Sequence, residues 1–562
     1  MLTHYEEYSD VDLVRCYQKG DEKAGNVLCQ RHWGALYRFF KKKIRNNEDA
    51  QDLVQETFFE ALKTLKSGQP PRNFRSWFYK KKGYVFILFS LLIFLIQLCA
   101  PGFVGIDAYY HVKVSELMMQ HGILKDFPWT QVSIWKDKFA DKEFLFHVYL
   151  MPFLRVFPDL MVAGKVAISV LGGVLFCLFY RLLNQFQIRH ALIWTLIAFG
   201  VNSNFLQRMC MIRPHVLSVL LILLFVESLW NRRLWKLLLI SVLYPLAYTA
   251  AHFLVFITLI YVAILWIHQR ELKMSFLLLT LVGITFGLVI HPQFPNNLKT
   301  WYVQNALLPV FNWGNNQEFW FVGEVKSQPI STFIGVNGIT LFLWGIAMTF
   351  LILNRRNLSS ISVFIFILAS IFLVMTIVSM RFVEYWMPFT ALSVALGITA
   401  ISPLKSSVLK TGLKIGYVGL LSFSLVMYVL AMLLIPLRFP LKLEGSAHWL
   451  KVNTPEKAII FTSNWSDFPV LFYFNTENYY LFGLDPVYCY AYDNDVWDLW
   501  VSVVSGQSEN PSQKIKDVFR SNYVLCTRDS EEPGYALTKQ LLQENQTDIV
   551  YEDEYHHIFR LE

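Results

Sequence analysis

Runs of apolar residues, separated by short polar connections, fill the chain from about residue 84 to residue 436. Most of these runs are long enough to cross the hydrocarbon core of a bilayer as helices, although a few are short for a span. The pattern therefore predicts a polytopic α-helical membrane protein with about eleven spans. The predicted spans are residues 84–101, 161–183, 190–206, 213–230, 235–250, 252–267, 273–290, 336–353, 359–379, 383–401 and 413–436.

Basic residues in the connections set the predicted orientation. Lys80 to Lys82 precede the first span, and the later connections on the same side also carry Lys or Arg. Because such residues are concentrated in cytoplasmic loops, we expect a multi-pass protein of a bacterial inner membrane, with the N-terminus in the cytoplasm and the C-terminal region in the periplasm. The basic connections hold Arg181 and Arg189, Arg232 and Arg233, Arg270 and Lys273, Arg355 and Arg356, and Lys405 to Lys414.

The two ends of the chain have a more polar pattern than the middle. Near the N-terminus, apolar positions recur at helical spacing and predict a small soluble helical bundle. Near the C-terminus, apolar runs at 458–461 and 470–473 indicate buried strands, and helices are expected at 511–520 and 535–544. The predicted fold class is mainly α, with a helical head at residues 1–80, a transmembrane domain at 84–436 and a periplasmic soluble α/β domain at 440–562.

Composition supports the membrane interpretation. The 562 residues are 54% hydrophobic and 16% aromatic, and the mean hydropathy is +0.38, which excludes an ordinary soluble protein. A net charge of +8 would fit a nucleic-acid or anionic-lipid partner, but many Lys and Arg residues stand at the ends of apolar runs. There they orient helices, so the charge does not by itself indicate nucleic-acid binding.

One polar segment, the predicted external loop 102–160, combines carboxylates, imidazoles and aromatic rings. Such groups can take a proton from an attacking hydroxyl or hold a hard divalent cation such as Mg²⁺ or Mn²⁺. Asp107, His111 and Glu143 are the catalytic candidates, and Asp107, Asp141 and Glu143 are the candidate metal ligands. The alternative is a solvated acidic loop that only joins two helices.

Two short motifs in this loop resemble those of a known enzyme. Asp107-Ala-Tyr-Tyr-His111 resembles the Asp-x-Tyr-Tyr-His motif in the first external loop of the oligosaccharyltransferase catalytic subunit, a GT-C glycosyltransferase. Asp141-Lys-Glu143 is similar to the second acidic motif of such enzymes, although there it usually lies in a later loop. The resemblance implies a GT-C-like fold, a lipid-linked sugar donor, and Asp107 as a base or metal ligand.

Further candidates fall on the predicted external side. Arg208, Arg213 and Arg381 are suited to the phosphate of a lipid-linked donor, because a planar guanidinium offers parallel hydrogen bonds to two oxygens. Arginines at helix ends also commonly extend to lipid headgroups, which is the alternative for each of them.

The acceptor side of the site has its own candidates. Asn464-Trp465-Ser466-Asp467 is similar to the Trp-Trp-Asp motif that opens the soluble domain of oligosaccharyltransferase, with one tryptophan replaced. Trp465 and Asp467 are therefore candidates for the acceptor side, and a plain turn packed by Trp465 is the alternative. Glu324, in a long external connection, is a third candidate.

The head resembles region 2 of an extracytoplasmic-function sigma factor, from DVDLVRCYQKGDEKA through DAQDLVQETFFEALK to FRSWFY. The resemblance implies contact with core RNA polymerase through Asp49, Asp52, Gln55 and Glu56. After Tyr79 the promoter-reading helix and the second sigma domain are missing, which argues against DNA binding by this chain alone. Such a break is typical of a gene fusion, and a misassembled reading frame would also produce it.

The function expected from these patterns is transfer of a sugar from a polyprenyl-phosphate-linked donor on the periplasmic face. One alternative is a membrane-tethered sigma-like regulator of transcription initiation. Another is a transporter or a non-catalytic membrane protein. A transporter places ionisable residues near the bilayer midplane, whereas the acids here lie outside the predicted spans.

Overall fold

The computed structural model describes residues 5, 8, 10–41, 51, 58, 74–309, 327–353, 359–400, 407–532 and 534–562. It divides into two compact units, Met1–Gly83 and Tyr84–Glu562, which we describe separately. The predicted polymerase-binding residues and the acceptor candidate in the long external connection lie outside the described residues. These are Asp49, Asp52, Gln55, Glu56 and Glu324.

In the first unit, two helices are described: α1 (Asp10–Gln18) and α2 (Glu22–Lys41). Leu13, Tyr17 and Ala24 are buried between them and form a small apolar core. Asp21 lies just before α2, and its carboxylate accepts a hydrogen bond from the Tyr5 hydroxyl at 2.7 Å. The amphipathic pattern predicted for this part of the head is therefore realised as a packed helix pair.

Apolar helices dominate the second unit. Each predicted span coincides with one or two of them, because an apolar run satisfies its backbone polar groups internally only as a helix. They are α3 (Phe74–Cys99, of which residues 84–99 belong to this unit), α4 (Asp107–His121), α5 (Phe144–Val156), α6 (Leu160–Gln185), α7 (Ala191–Gly200), α8 (Ser203–Cys210), α9 (His215–Trp230), α10 (Leu234–Ala247), α11 (His252–Gln269), α12 (Met274–Val289), α13 (Asn296–Tyr302), α14 (Ile330–Leu353), α15 (Ser360–Val378), α16 (Val383–Ala400) and α17 (Ser407–Arg438).

Among the described residues, six helical stretches are long and apolar enough to cross a membrane, or seven if the bent pair α8 and α9 forms one span. Five further apolar helices are shorter, so the predicted number of about eleven spans is not established by length alone. The polytopic helical character is confirmed. The six stretches are Leu160–Gln185, His252–Gln269, Ile330–Leu353, Ser360–Val378, Met380–Thr399 and Thr411–Arg438.

The break between α8 and α9 places polar side chains at the end of the helix bundle. The two helices meet at an angle of 106°. Pro214 stands at the N-cap of α9, and proline disfavours a helical conformation in the residue before it, which is Arg213. The backbone between Cys210 and His215 therefore leaves the helix and turns its side chains toward the neighbouring segments.

The segment between α3 and α6, predicted as a loop, contains the helices α4 and α5. Gly105, just before α4, has a φ of +88°, a left-handed conformation that glycine adopts without strain. Between the two helices, residues 129–132 run beside the C-terminal region: the amides of Gln131 and Val132 donate to the carbonyls of Tyr480 and Leu481 at 2.8 and 2.6 Å. The segment is thus held by the C-terminal region.

The C-terminal region is an α/β unit, as predicted. Its five-stranded sheet has the order β2-β1-β3-β5-β4, in which β1 is parallel to β2 and β3 while β5 is antiparallel to β3 and β4. The elements are α18 (Glu444–Asn453), β1 (Ile459–Thr462), α19 (Phe468–Phe474), β2 (Tyr479–Tyr480), α20 (Val487–Tyr490), α21 (Asn494–Val504), α22 (Pro511–Asp517), β3 (Tyr523–Thr527), α23 (Tyr535–Leu541), β4 (Thr547–Glu552) and β5 (His556–Leu561).

One strand prediction in this region is wrong. Residues 470–473 belong to helix α19, which begins next to Pro469. A short, continuously apolar run has no periodicity that separates a buried strand from a buried helix, and proline near the first position favours a helix start. The other three predicted elements are found, as β1, α22 and α23.

Candidate active site

A cavity of about 230 Å³ lies where the break between α8 and α9, the start of α4 and the C-terminal region meet. It collects residues from parts of the sequence that are hundreds of positions apart. Its charged and hydrogen-bonding lining residues are Asp107, His111, Lys142, Glu143, Arg208, Arg213, His215, Tyr248, Thr249, Gln304, Arg381, Trp465 and Asp485.

All three predicted phosphate-binding arginines line this cavity. Arg208 is the most firmly held, because its Nε donates to Glu384 Oε2 at 2.9 Å and both side chains are buried. The backbone carbonyl of Arg208 is also 2.7 Å from His215 Nε2, across the helix break. Arg208 is therefore fixed from two directions, with its guanidinium at the cavity wall.

Arg213 forms an ion pair with Asp107, the first residue of α4. Asp107 stands at a helix N-terminus, where the helix dipole stabilises a negative charge. The ion pair is partly accessible, since the side chains of Arg213 and Asp107 are 17% and 21% exposed. The main catalytic candidate thus faces the cavity with a guanidinium already beside it.

Glu143 lies on another wall of the cavity with Lys142 and Asp485. Its Oε1 is 3.5 Å from Lys142 Nζ, while its Oε2 is buried and has no hydrogen-bond partner among the described residues. Burial raises the pKa of Glu143, and Lys142 opposes this shift. Burial also raises the pKa of Asp485, again against the opposing charge of Lys142. The two carboxylates of this wall therefore have raised pKa values.

His111 connects the cavity to a buried chain of hydrogen bonds. Its Nδ1 is 2.9 Å from His147 Nε2, and His147 Nδ1 is 2.7 Å from Asp141 Oδ2. Burial lowers the pKa of His111 well below its usual value, and the nearby His147 and Arg213 lower it further. Burial at the cavity wall therefore disfavours the charged form of His111.

The predicted metal ligands are not assembled as a metal site. Asp107 faces Arg213, Asp141 faces His147, and Glu143 lies beside Lys142. Within the described ranges, no group of three His, Cys, Asp or Glu side chains is arranged to hold a metal ion. The three carboxylates do not fit a shared cation in this arrangement, and the Mg²⁺ or Mn²⁺ dependence stays a prediction.

The acceptor-side candidates separate in the structure. Trp465 lines the cavity, but Asp467 is not among its lining residues. Desolvation raises the pKa of Asp467 to about 8, with a smaller contribution from Glu532 and an opposing one from Lys442. Asp467 ends the short helical turn Trp465–Asp467, where it is half-buried and lies outside the cavity lining.

Sequence reasoning missed six polar residues of the lining: Lys142, His215, Tyr248, Thr249, Gln304 and Asp485. Lys142 stands inside the acidic motif already singled out, so its neighbours could have indicated it. The other five come from a helix start, a helix end, a π-helical turn and loops, and no local pattern marks them. Gln304 joins this group through hydrogen bonds to Lys142 at 3.2 Å and to the Tyr488 hydroxyl.

Two solved structures with a similar fold each contain a polyprenyl phosphate. The archaeal oligosaccharyltransferase AglB from Archaeoglobus fulgidus, in complex with an inhibitory peptide and a dolichol-phosphate, has a TM-score of 0.58 at 13% identity, over 80% of this chain and 70% of that one. ArnT from Cupriavidus metallidurans, bound to undecaprenyl phosphate, has a TM-score of 0.53 at 13% identity, over 85% of this chain and 97% of that one. The chain has the GT-C fold.

Comparisons of sequence match a different part of the chain. Residues 28–80 match the family Sigma-70 region 2. The ECF RNA polymerase sigma-E factor of Haemophilus influenzae is 32% identical over 75 residues, and that of Escherichia coli K12 is 33% identical over 75 residues. Each match covers 13% of this chain and 39% of the relative, so the chain spans about two fifths of the length of these relatives. The predicted sigma-like head is confirmed as a resemblance.

Proposed function

We propose that this chain is a glycosyltransferase that moves a sugar from a polyprenyl-phosphate-linked donor to an acceptor on the periplasmic face of the inner membrane. The observation that carries the proposal is the composition of the cavity. Three arginines line it together with Asp107 and His111. A cavity that combines phosphate-binding cations with proton acceptors fits the chemistry of sugar transfer from a phosphate ester.

The arginine wall is the proposed site of the donor phosphate. Guanidinium groups bind phosphate oxygens through paired, charge-assisted hydrogen bonds, and Arg208 is held in place by Glu384 before any ligand arrives. The solved structures of similar fold contain dolichol-phosphate and undecaprenyl phosphate. A donor whose polyprenyl chain lies among the apolar helices would present its phosphate to these arginines.

Asp107 is the proposed base. The acceptor oxygen forms a bond to the anomeric carbon while the bond from that carbon to the phosphate oxygen breaks. The hydroxyl proton passes to Asp107, and the leaving polyprenyl phosphate keeps the electron pair, whose charge the arginines stabilise. A donor phosphate that draws Arg213 toward itself also frees the Asp107 carboxylate, so donor binding and activation of the base are coupled.

The test is sugar transfer by purified protein in lipid nanodiscs, with a labelled lipid-linked saccharide pool from the same bacterium. Asp107→Asn keeps the size and polarity of the side chain and removes its charge. Transfer should fall about a hundred- to ten-thousandfold, the usual contribution of a general base. The matched control is Asp137→Asn, an exposed acid of the same segment outside the cavity lining. If Asp107→Asn transfers as well as the control, the assigned site is wrong.

A second function is proposed for the head, since its match to Sigma-70 region 2 includes Asp49, Asp52, Gln55 and Glu56, for which the resemblance implies contact with core RNA polymerase. The full chain in nanodiscs is expected to bind core RNA polymerase weakly and to fail to start transcription. Pull-down of core polymerase by the wild type and by Asp52→Lys measures the first point. Promoter-specific initiation in a reconstituted assay would instead make regulation the primary function.

A further inference from the structure

One buried amide interrupts the apolar helix α3 close to its end. Gln97 is fully buried and stands two residues before Cys99, where α3 ends. A polar side chain inside an apolar membrane helix is costly, so it usually has a specific partner and a function. The partner of Gln97 is the backbone carbonyl of Cys210, 113 positions along the chain, to which its Nε2 donates a hydrogen bond.

The carbonyl of Cys210 needs a donor from outside its own helix. Cys210 is the last residue of α8, and carbonyls at a helix end have no partner within the helix. In a continuing helix the amide four residues on would donate to it, but that residue is Pro214, which has no N–H. Cys210 is buried, so its carbonyl must be paired within the protein. The amide of Gln97 supplies the donor that the helix break removes.

The other half of this amide lowers stability. A carbonyl oxygen only accepts, so Gln97 Nε2 must face Cys210, and Gln97 Oε1 is buried with no hydrogen-bond partner among the described residues. An unpaired buried acceptor is destabilising, and an apolar side chain of the same shape would avoid that cost. Stability alone would therefore be served about as well by a methionine at this position.

The bond from Gln97 fixes the segment that carries Arg213 against the segment that carries Asp107. Arg213 pairs with Asp107, and Gln97 lies ten positions before that acid. Between these two attachments Met211 lies against Gly105, since a Cβ on the glycine would be 3.2 Å from Met211 Cγ. The two segments are therefore joined at both ends and in the middle.

We propose that Gln97 is a positioning residue, which holds the helix break so that the guanidinium of Arg213 meets the donor phosphate from a fixed direction. The inference rests on the phosphate site of the proposed function and extends it to a residue outside the cavity lining. Arg208 has its own anchor in Glu384, whereas Arg213 follows the break and depends on the course of the backbone there. A planar guanidinium needs a fixed approach, because its parallel hydrogen bonds form only in the right orientation.

The measurement is the Kd of undecaprenyl phosphate for the full chain in lipid nanodiscs, which needs no transfer assay. Gln97→Met keeps the length and shape of the side chain but has no donor. Its Kd should rise about two- to a hundredfold, the range of coupling within one network. The melting temperature should change little, because the oxygen of Cys210 becomes unpaired while that of Gln97 is removed. If Gln97→Met does not fold, Gln97→Asn, one methylene shorter, should raise the Kd in the same direction. An unchanged Kd overturns the inference.

The matched control is Asn297→Leu. Asn297 is also a buried amide that donates to a carbonyl near a helix end, that of Leu288 at 2.9 Å. Its Oδ1 likewise has no hydrogen-bond partner among the residues that the structure describes. Asn297 lies outside the cavity lining, so its substitution should leave the Kd unchanged. An equal rise in both variants would mean that any lost helix-end bond weakens binding, and it would overturn positioning by Gln97.

A second pair of variants shows whether Gln97 acts through Arg213. Arg213→Lys keeps the charge, and therefore a measurable affinity, but replaces the planar fork by a flexible point charge that tolerates a shifted backbone. Gln97→Met should accordingly change the Kd by about twofold or less in the Arg213→Lys background. The same fold-change in both backgrounds overturns the inference. A wild type that binds no undecaprenyl phosphate removes the phosphate site and the inference together, whereas a wild type whose affinity is kept in Gln97→Met removes the inference alone.

Discussion

The buried ion pair between Arg208 and Glu384 offers a sharp test of the phosphate site. Glu384→Gln keeps a side-chain oxygen that can accept from Arg208 Nε, now at 2.9 Å, but it removes the negative charge. The side chains are only 7% and 1% exposed, so water cannot replace the lost charge. We expect two opposite effects, a less stable free protein and tighter binding of a polyprenyl phosphate.

The size of the first effect follows from the kind of bond that changes. Arg208 stays charged in Glu384→Gln, and the hydrogen bond that it keeps to the amide oxygen contributes about 1.5–3 kcal/mol, so this substitution should cost that much less than complete removal of the side chain. Complete removal by Glu384→Ala leaves a buried guanidinium without its counterion, which costs about 3–5 kcal/mol. The free energy of unfolding should therefore fall in the order wild type, Gln, Ala.

The second effect has the opposite sign because the carboxylate competes with an anionic ligand for Arg208. Binding to the folded state raises its stability by RT ln(1 + L/Kd), where L is the ligand concentration, so at a fixed ligand concentration the variant that binds more tightly is stabilised more. Undecaprenyl phosphate should therefore raise the melting temperature of Glu384→Gln more than that of the wild type, as measured by thermal unfolding in detergent with and without the lipid.

A matched control comes from a second ion pair, Arg181 with Glu227, which does not line the cavity. Glu227→Gln should lower the melting temperature without changing the increment that undecaprenyl phosphate produces. An increment in Glu384→Gln that is no larger than in Glu227→Gln would refute the assignment of Arg208 to phosphate binding.

Three further predictions follow from single features. Desolvation raises the pKa of Asp467 to about 8 in the folded protein, above its ordinary 3.8, so its charge destabilises the fold increasingly from pH 4 to pH 8; Asp467→Asn should raise the melting temperature at pH 8 and have no effect at pH 3. Gly287→Val should lower the melting temperature through overpacking, because a Cβ there meets the Val242 carbonyl and Pro245. The expected loss of stability is about 1–3 kcal/mol. Gly338→Val should be tolerated. A periplasm-specific reporter should be active after residue 440 and inactive after Tyr79, and the reverse pattern would contradict the assigned orientation.

The apolar helices could be predicted from sequence because their cause is local. A long apolar run in a bilayer can satisfy its backbone only as a helix, so length and composition suffice. The helix α4 was not predicted because its pattern depends on distant parts of the chain. Its polar residues face a cavity, and its aromatic residues pack against the C-terminal region. The strand prediction at 470–473 was wrong because buried strands and buried helices are equally apolar.

Individual residues of the site could be predicted from the sequence, but the residues with which they pair could not. Motifs and membrane side were enough to select Asp107, His111 and the arginines, all of which the structure brings to one cavity. The pairing of Arg208 with Glu384 joins residues 176 positions apart, and nothing local in either sequence indicates the other. Asp141 and Glu143 looked equivalent in sequence, yet one faces a histidine and the other a lysine.

These pairings decide how an anionic substrate can enter. Three cations of the cavity wall already have a carboxylate neighbour: Arg208, Arg213 and Lys142. A donor phosphate that binds any of these three cations must therefore compete with an internal anion, and the least costly competition is at the pair that water already reaches. That pair is Arg213 with Asp107, whose side chains are 17% and 21% exposed, against 7% and 1% for Arg208 with Glu384. The phosphate should displace the one carboxylate that the reaction needs as a base, which links donor binding to activation of Asp107.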